Sequence, residues 1–175
     1  MQFRWNSIGT VFRDEPITTF PELELFASVT TLANQPFSGT TLESFLPPCN
    51  LQKIQFDAIS YPTSINMAVL NLPTTLTSFE APNLRGHIGR IIINSNITTF
   101  MPAYCYGSSI KGSKVYTFVL NVTSVIPITT TGGNGQYSKN HYYYVPDELL
   151  TQYREASGWS GFPTHILPIS ELPTS

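Results

Sequence analysis

His87, His141 and His165, Cys49 and Cys105, and the glycine-rich stretch Thr131 to Gln136 (TGGNGQ) are the residues whose types could hold a metal, attack a carbonyl or cradle a phosphate. Their spacing argues against each. A zinc site is written with paired ligands such as CxxC or HExxH, and neither pattern occurs. A phosphate cradle needs a strand before its glycines and Lys-Ser/Thr opening a helix after them; TGGNGQ has neither and reads as a surface loop. No GxSxG elbow marks a nucleophilic serine. Asp57 and Asp147 have no Ser–His pair at supporting spacing, and Asp147 suits a helix start. Glu22 and Glu24, two residues apart, would share one face of a strand as glycosidase acids can, but at the front of the chain they read as solvated carboxylates. The expectation is a non-enzyme with no catalytic residue, no cofactor and no metal, with both cysteines acting as small buried hydrophobes.

Charge narrows the partners. Charged residues make up 11% of the 175 residues, against about 25% in an ordinary soluble chain, so the surface must be hydroxyl and amide rather than ionic. With a net charge of -2 and nine scattered Lys plus Arg, no basic stripe exists to neutralise a phosphate backbone, and nucleic acid is excluded as a partner. The opening MQFRWNSIGTVF lacks a basic segment followed by an apolar one, and no apolar window is long enough to span a bilayer. Asn96-Ile97-Thr98 and Asn121-Val122-Thr123 match the N-glycosylation acceptor pattern, a short match in a Thr-rich chain.

The elements that would position these residues are repetitive. VTTLANQPFSGT begins at Val29, and ITTFMPAYCYGS begins 68 residues later at Ile97 with the same grammar. An aliphatic-Thr-Thr/Ser-apolar phrase stands at Ile17, Val29, Leu76, Ile97 and Val122. The steps from Leu76 to Ile97 and from Ile97 to Val122 are 21 and 25 residues, inside the 20–29 window of leucine-rich repeats. Each unit supplies a short strand whose apolar residues cannot be covered alone, so stacked units would share one core. Val29, Leu32, Phe37, Ile97, Phe100 and Cys105 are the expected inward rungs, with Gly39 and Gly107 at turns.

From Thr129 the pattern changes. A polar loop to about His141 precedes YYYVPDELLTQYREASGWSGF, where Pro146 suits a first helical position and Asp147 and Glu148 favour its dipole. Leu149, Leu150 and Tyr153 share a helical face, and Gly158 can end the helix in a left-handed conformation. That spacing predicts a helix of about three turns closing the last repeat, with Trp159 in the same cap. Tyr142, Tyr143 and Tyr144 alternate across a strand, so core packing and an interface anchor are both open, with Tyr142 and Tyr144 the interface candidates.

VTTLANQPFSGT and ITTFMPAYCYGS resemble the BspA-type (treponeme-type) leucine-rich repeats of bacterial surface proteins, whose coil reads SVTSIGxxAFxGC. Phe37 and Gly39 stand at the family's Phe and Gly, and Cys105 and Gly107 occupy the same places in the second copy. The tail, YYYVPDELLTQYREASGWSGFPTHILPISEL, resembles the terminal YVPD...W cap found with such repeats in gut-bacterial and phage-borne proteins. Residues Ala58 to Asn71 and Gly86 to Asn94 depart from the coil pattern. The resemblance implies one domain over residues 1–175: an opening segment (1–26), repeats (27–128), a loop (129–141) and a C-terminal cap (142–172). It implies an α/β leucine-rich-repeat solenoid of short strands with a helical cap, acting as a non-catalytic adhesion module on a bacterial cell surface. The alternative it leaves open is a phage virion decoration protein. Partners would be a protein or glycan surface, other virion proteins, or further copies of the chain.

Overall fold

The computed structural model describes residues 7–8, 10–33, 35–55, 58, 66–80, 87–102, 116–129 and 141–174. Its strands are short because Thr and aliphatic residues favour extended chain over only a few positions before a turn or proline, such as Pro47-Pro48, Pro73 or Pro102, breaks the run. In chain order they are β1 (Ser7–Ile8), β2 (Thr19–Phe20), β3 (Thr31–Leu32), β4 (Ser44–Phe45), β5 (Lys53–Ile54) and β6 (Asn66–Asn71). There follow β7 (Ser78–Glu80), β8 (His87–Ile93), β9 (Thr99–Met101), β10 (Thr117–Leu120), β11 (Tyr142–Val145) and β12 (Ile166–Pro168).

These strands form three sheets with parallel pairing throughout. The first runs β1-β3-β5-β7-β9, the second β6-β8-β10-β11-β12, and β2-β4 make a third. Register partners in the first sheet, Ser7, Thr31, Lys53, Ser78 and Thr99, step by 24, 22, 25 and 21 residues. In the second, Leu70, Ile91, Phe118, Tyr143 and Ile166 step by 21, 27, 25 and 23. The chain therefore lays down a strand of one sheet, crosses to another, and returns after a nearly constant length.

The core lies between the two large sheets. Leu32, Ile54, Phe79 and Phe100 from the first and Leu70, Ile91, Phe118, Tyr143 and Ile166 from the second are fully buried. Ring centroids of Phe79 and Phe118 are 6.0 Å apart, those of Phe100 and Phe118 5.4 Å, and those of Phe100 and Tyr143 6.1 Å. Edge-to-face pairs of this kind add to area burial by about 0.5–1.5 kcal/mol each, and they tie the sheets together. At the front, Phe12, Phe20, Phe37 and Phe45 make a second aromatic cluster, with Phe12 and Phe20 4.8 Å apart and Phe37 and Phe45 5.7 Å apart. Gly39 takes a positive φ of 77° in the turn after Phe37, where a Cβ would collide with the Asp14 carboxylate.

This arrangement overturns the expected leucine-rich-repeat solenoid, in which one curved sheet on one face would end in a helical cap. The strands are divided among three parallel sheets, and the one α-helix among the described residues, α1 (Leu150–Glu155), has six residues. The chain is an α/β-type fold of short strands. The physical reason is that a sequence period sets how far the chain travels before meeting itself again, but not how many strands it makes on the way. The C-terminal region differs in the same sense: β11 and β12 extend the second sheet, and the helical part lies between them. Instead of a helix of three turns, a 3-10 turn (Asp147–Leu149) leads into α1, which stops at the extended Ala156. Gly158 has φ +84°, two residues beyond that stop, and a Cβ there would lie 2.9 Å from Ile128 Cγ2. Its conformation lets the chain pass close over Ile128.

Candidate interaction surface

Because side chains alternate across a strand, the neighbours of the buried rung Leu70–Ile91–Phe118–Tyr143–Ile166 face outward from the second sheet. One outward row runs through Val69, Arg90, Thr117, Tyr142 and His165. Val69 and Tyr142 keep 42% and 40% of their surface open, and the rings of Tyr142 and His165 lie 5.0 Å apart. The next outward row holds Ile92, Val119, Tyr144 and Leu167, and here Val119 and Tyr144 keep only 4% and 8%. The first row is thus exposed at Val69 and Tyr142 and half-buried between them, whereas the second, which also includes the exposed Asn71, is buried at its centre and half-buried at Ile92 and Leu167. Of the two tyrosines singled out as interface candidates, Tyr142 is presented and Tyr144 is covered.

The C-terminal ends of these strands carry a feature that the repeat phrase did not reveal. Asn94 Nδ2 donates to Asn71 Oδ1 and to the Leu72 carbonyl, each at 2.7 Å, and Asn121 Nδ2 donates to Asn94 Oδ1 at 2.8 Å. Asn96 donates to Thr123 Oγ1 at 2.7 Å and accepts from the Thr123 N–H at 2.9 Å. On the other side of the chain, the Thr77 hydroxyl donates to the Gln52 carbonyl at 3.0 Å and that of Thr98 to the Thr77 carbonyl at 3.2 Å. The signal was an aliphatic-Asn pair at each strand end, Leu70-Asn71, Ile93-Asn94 and Leu120-Asn121. The amides of Asn96 and Asn121, which begin the two acceptor patterns, are engaged in these bonds.

Other singled-out residues fall into three groups. Val29, Leu32, Phe37, Ile97 and Phe100 are buried, as are Leu149, Tyr153 and Trp159. Cys105 and Gly107, the loop Thr131 to Gln136, and Asp57 lie outside the described residues. Cys49 is exposed rather than buried, since its backbone sits in the turn after Pro47-Pro48 and donates to the Glu24 carbonyl. Glu22 and Glu24 sit in the 3-10 turn Pro21–Leu25, not on a strand, so with three residues per turn they point to different sides. Pro146 precedes the 3-10 turn rather than opening a helix, with Asp147 at that turn's first position; Asp147 Oδ1 accepts the Ser170 N–H at 3.1 Å, and Ser170's side-chain and backbone bonds hold its carboxyl below the usual range. Leu150 is partly buried against the core.

The cap aromatics are joined to the core through one residue. Trp159 Nε1 donates to the Ile126 carbonyl at 2.8 Å, and the Tyr153 hydroxyl accepts the Ile126 N–H at 3.2 Å. Burial pushes the Tyr153 phenol up to about 12, with the Ile126 bond opposing. His141 is also in the core, 1% exposed, with Nδ1 accepting the Tyr116 N–H at 3.2 Å. Its proton therefore sits on Nε2, which is drawn toward the Pro102 backbone without reaching normal hydrogen-bond geometry. Burial lowers its pKa from 6.5 to about 4, with the Pro102 backbone pulling upward and His165 adding to the lowering. His165 faces the other side of the sheet beside Tyr142, and His87 begins β8. Among the described residues, no three His, Cys, Asp or Glu side chains gather at one metal position.

No protein-family model matches the chain, and neither a curated protein nor a solved structure is matched by it. No helix among the described residues is long and apolar enough to cross a membrane.

Proposed function

We propose that this chain is a non-catalytic interaction module that uses the open outer row of its second sheet to adhere to a protein or glycan surface, displayed on a bacterial cell. The observation carrying this reading is that row itself, where Tyr142 and Val69 stand exposed at 40% and 42% on a rigid parallel sheet over a fully buried rung. A tyrosine gives a large contact surface with a hydroxyl at its tip and little rotamer entropy to lose. Further along the same strands, Asn94, Asn96 and Asn121 are held in place by their neighbours, which lowers the ordering cost of any contact they make. Binding of the full chain to immobilised mucin glycans and extracellular-matrix proteins tests the reading. Saturable binding with Kd on the order of micromolar to one class is expected; absence of binding across both classes contradicts it. Capsid or tail genes beside the coding sequence would transfer the same surface to a virion.

A further inference from the structure

The buried centre of the second row, Val119 and Tyr144, calls for a cover, and the segment following β12 is placed to supply one. β12 is the last strand of the second sheet, yet the Pro173 carbonyl accepts a hydrogen bond from the Arg90 guanidinium on β8. In the order β12-β11-β10-β8, a segment joining those points must pass over β11 and β10. Tyr144 on β11 and Val119 on β10, the two strands such a segment would cross, are 8% and 4% exposed, whereas Tyr142 in the adjacent row keeps 40%.

The segment is built for that contact. Residues Ile169–Glu171 form a 3-10 turn, and Leu172 N–H donates to the Ile169 carbonyl at 2.9 Å. Residues three apart eclipse in this geometry, so Ile169 and Leu172 share one side. Both are half-buried, while Ser170 and Glu171 are exposed. Asp147 holds the Ser170 N–H at one end and Arg90 holds the Pro173 carbonyl at the other. Both tethers are solvent-exposed, which places the segment among the parts of a fold that open most readily.

We propose that residues 169–173 are an intramolecular strap, docked over Val119 and Tyr144 and released by local opening at its two exposed tethers. The docking site recognises two apolar side chains three residues apart, an N–H offered to Asp147 and a carbonyl offered to Arg90. The inference rests on the functional reading only in taking this face for a binding surface, which strap release would widen from one row to two.

The test is tyrosine nitration of the full chain, read residue by residue by mass spectrometry. Tyr142 is the exposed reference, and the fully buried Tyr143 and Tyr153 report unfolding. In Leu172→Asp, Tyr144 is expected to react about tenfold faster than in the parent, with Tyr143 and Tyr153 still protected, as local opening without global unfolding requires. A synthetic peptide spanning Pro168 to Thr174 should restore its protection. Should Leu172→Asp unfold, Arg90→Ala removes a single surface tether, and a several-fold rise at Tyr144 is expected. Tyr144 unchanged in both variants, or protection that the peptide fails to restore, overturns the strap. Neither result depends on binding to an external surface, so the functional reading is tested separately.

Discussion

Ile126 has both backbone groups satisfied by side chains, those of Trp159 and Tyr153. A buried group left without its partner costs about 1–3 kcal/mol, so Trp159→Phe, which keeps the ring but removes the donor, should lower stability by that order in a denaturant melt. Tyr153→Phe should have a similar effect by orphaning the Ile126 N–H. His141 gives a second prediction with a defined pH window. Its pKa is about 4 in the fold and 6.5 as an ordinary histidine, so below pH 6.5 the unfolded chain takes up the extra proton. The stabilising contribution is complete above about pH 6.5 and fades as pH falls to about 4, amounting to about 3 kcal/mol. Asp147, whose pKa lies below 3.8, acts in the same direction but only at lower pH, so the two windows separate. Melts of His141→Gln should lose most of the slope between these limits, and an unaltered slope would assign it to other groups.

At the scale of elements, the Asn ladder and the last strand make separate claims. Asn94 links Asn71, Leu72 and Asn121 at 2.7–2.8 Å, and Asn94→Ala should cost about 1–2 kcal/mol given partial solvent access, measurable as a shifted melting midpoint. Arg154 donates through Nε and Nη2 to the Ile166 carbonyl at 3.3 and 2.8 Å on β12, and Pro168 in that strand has no N–H to offer. Unprotected terminal strands recruit other strands, so Arg154→Ala should promote concentration-dependent association in sedimentation velocity, while the parent does not. Much of this level was legible in the sequence. The aliphatic-Thr-Thr-apolar phrase marked Val29, Leu32, Ile97 and Phe100, which are buried at 0–1%, because apolar periodicity is a direct demand of the core. The number of sheets was not, since Leu42-Glu43-Ser44-Phe45 and Ile91-Ile92-Ile93 look alike as apolar runs but belong to different sheets. Nor was the fate of Tyr142 and Tyr144, which have the same parity on β11 yet keep 40% and 8% of their surface, because parity along a strand does not record what distant chain packs on it.

For the molecule as a whole, the joined faces of the two large sheets leave their outer faces to meet the surroundings. Phe100 stands at the centre of that joint, touching Phe79, Phe118, Tyr143 and Trp159 with centroids 5.4–6.1 Å away. On the proposed function, low charge would have the outer face recognise a partner through hydrogen bonds and aromatic contact rather than long-range attraction. Screening acts on charges and leaves such contacts nearly untouched. The decisive measurement is the affinity of the full chain for the immobilised glycan or matrix protein it is proposed to bind, at about 50 and about 500 mM salt, alongside the double variant Val69→Ser, Tyr142→Ala. Equal affinity at both salt concentrations is expected, with a loss of about tenfold or more in the double variant and no change in its melting temperature. Binding that collapses with salt, or that the double variant retains in full, would contradict this mode of recognition.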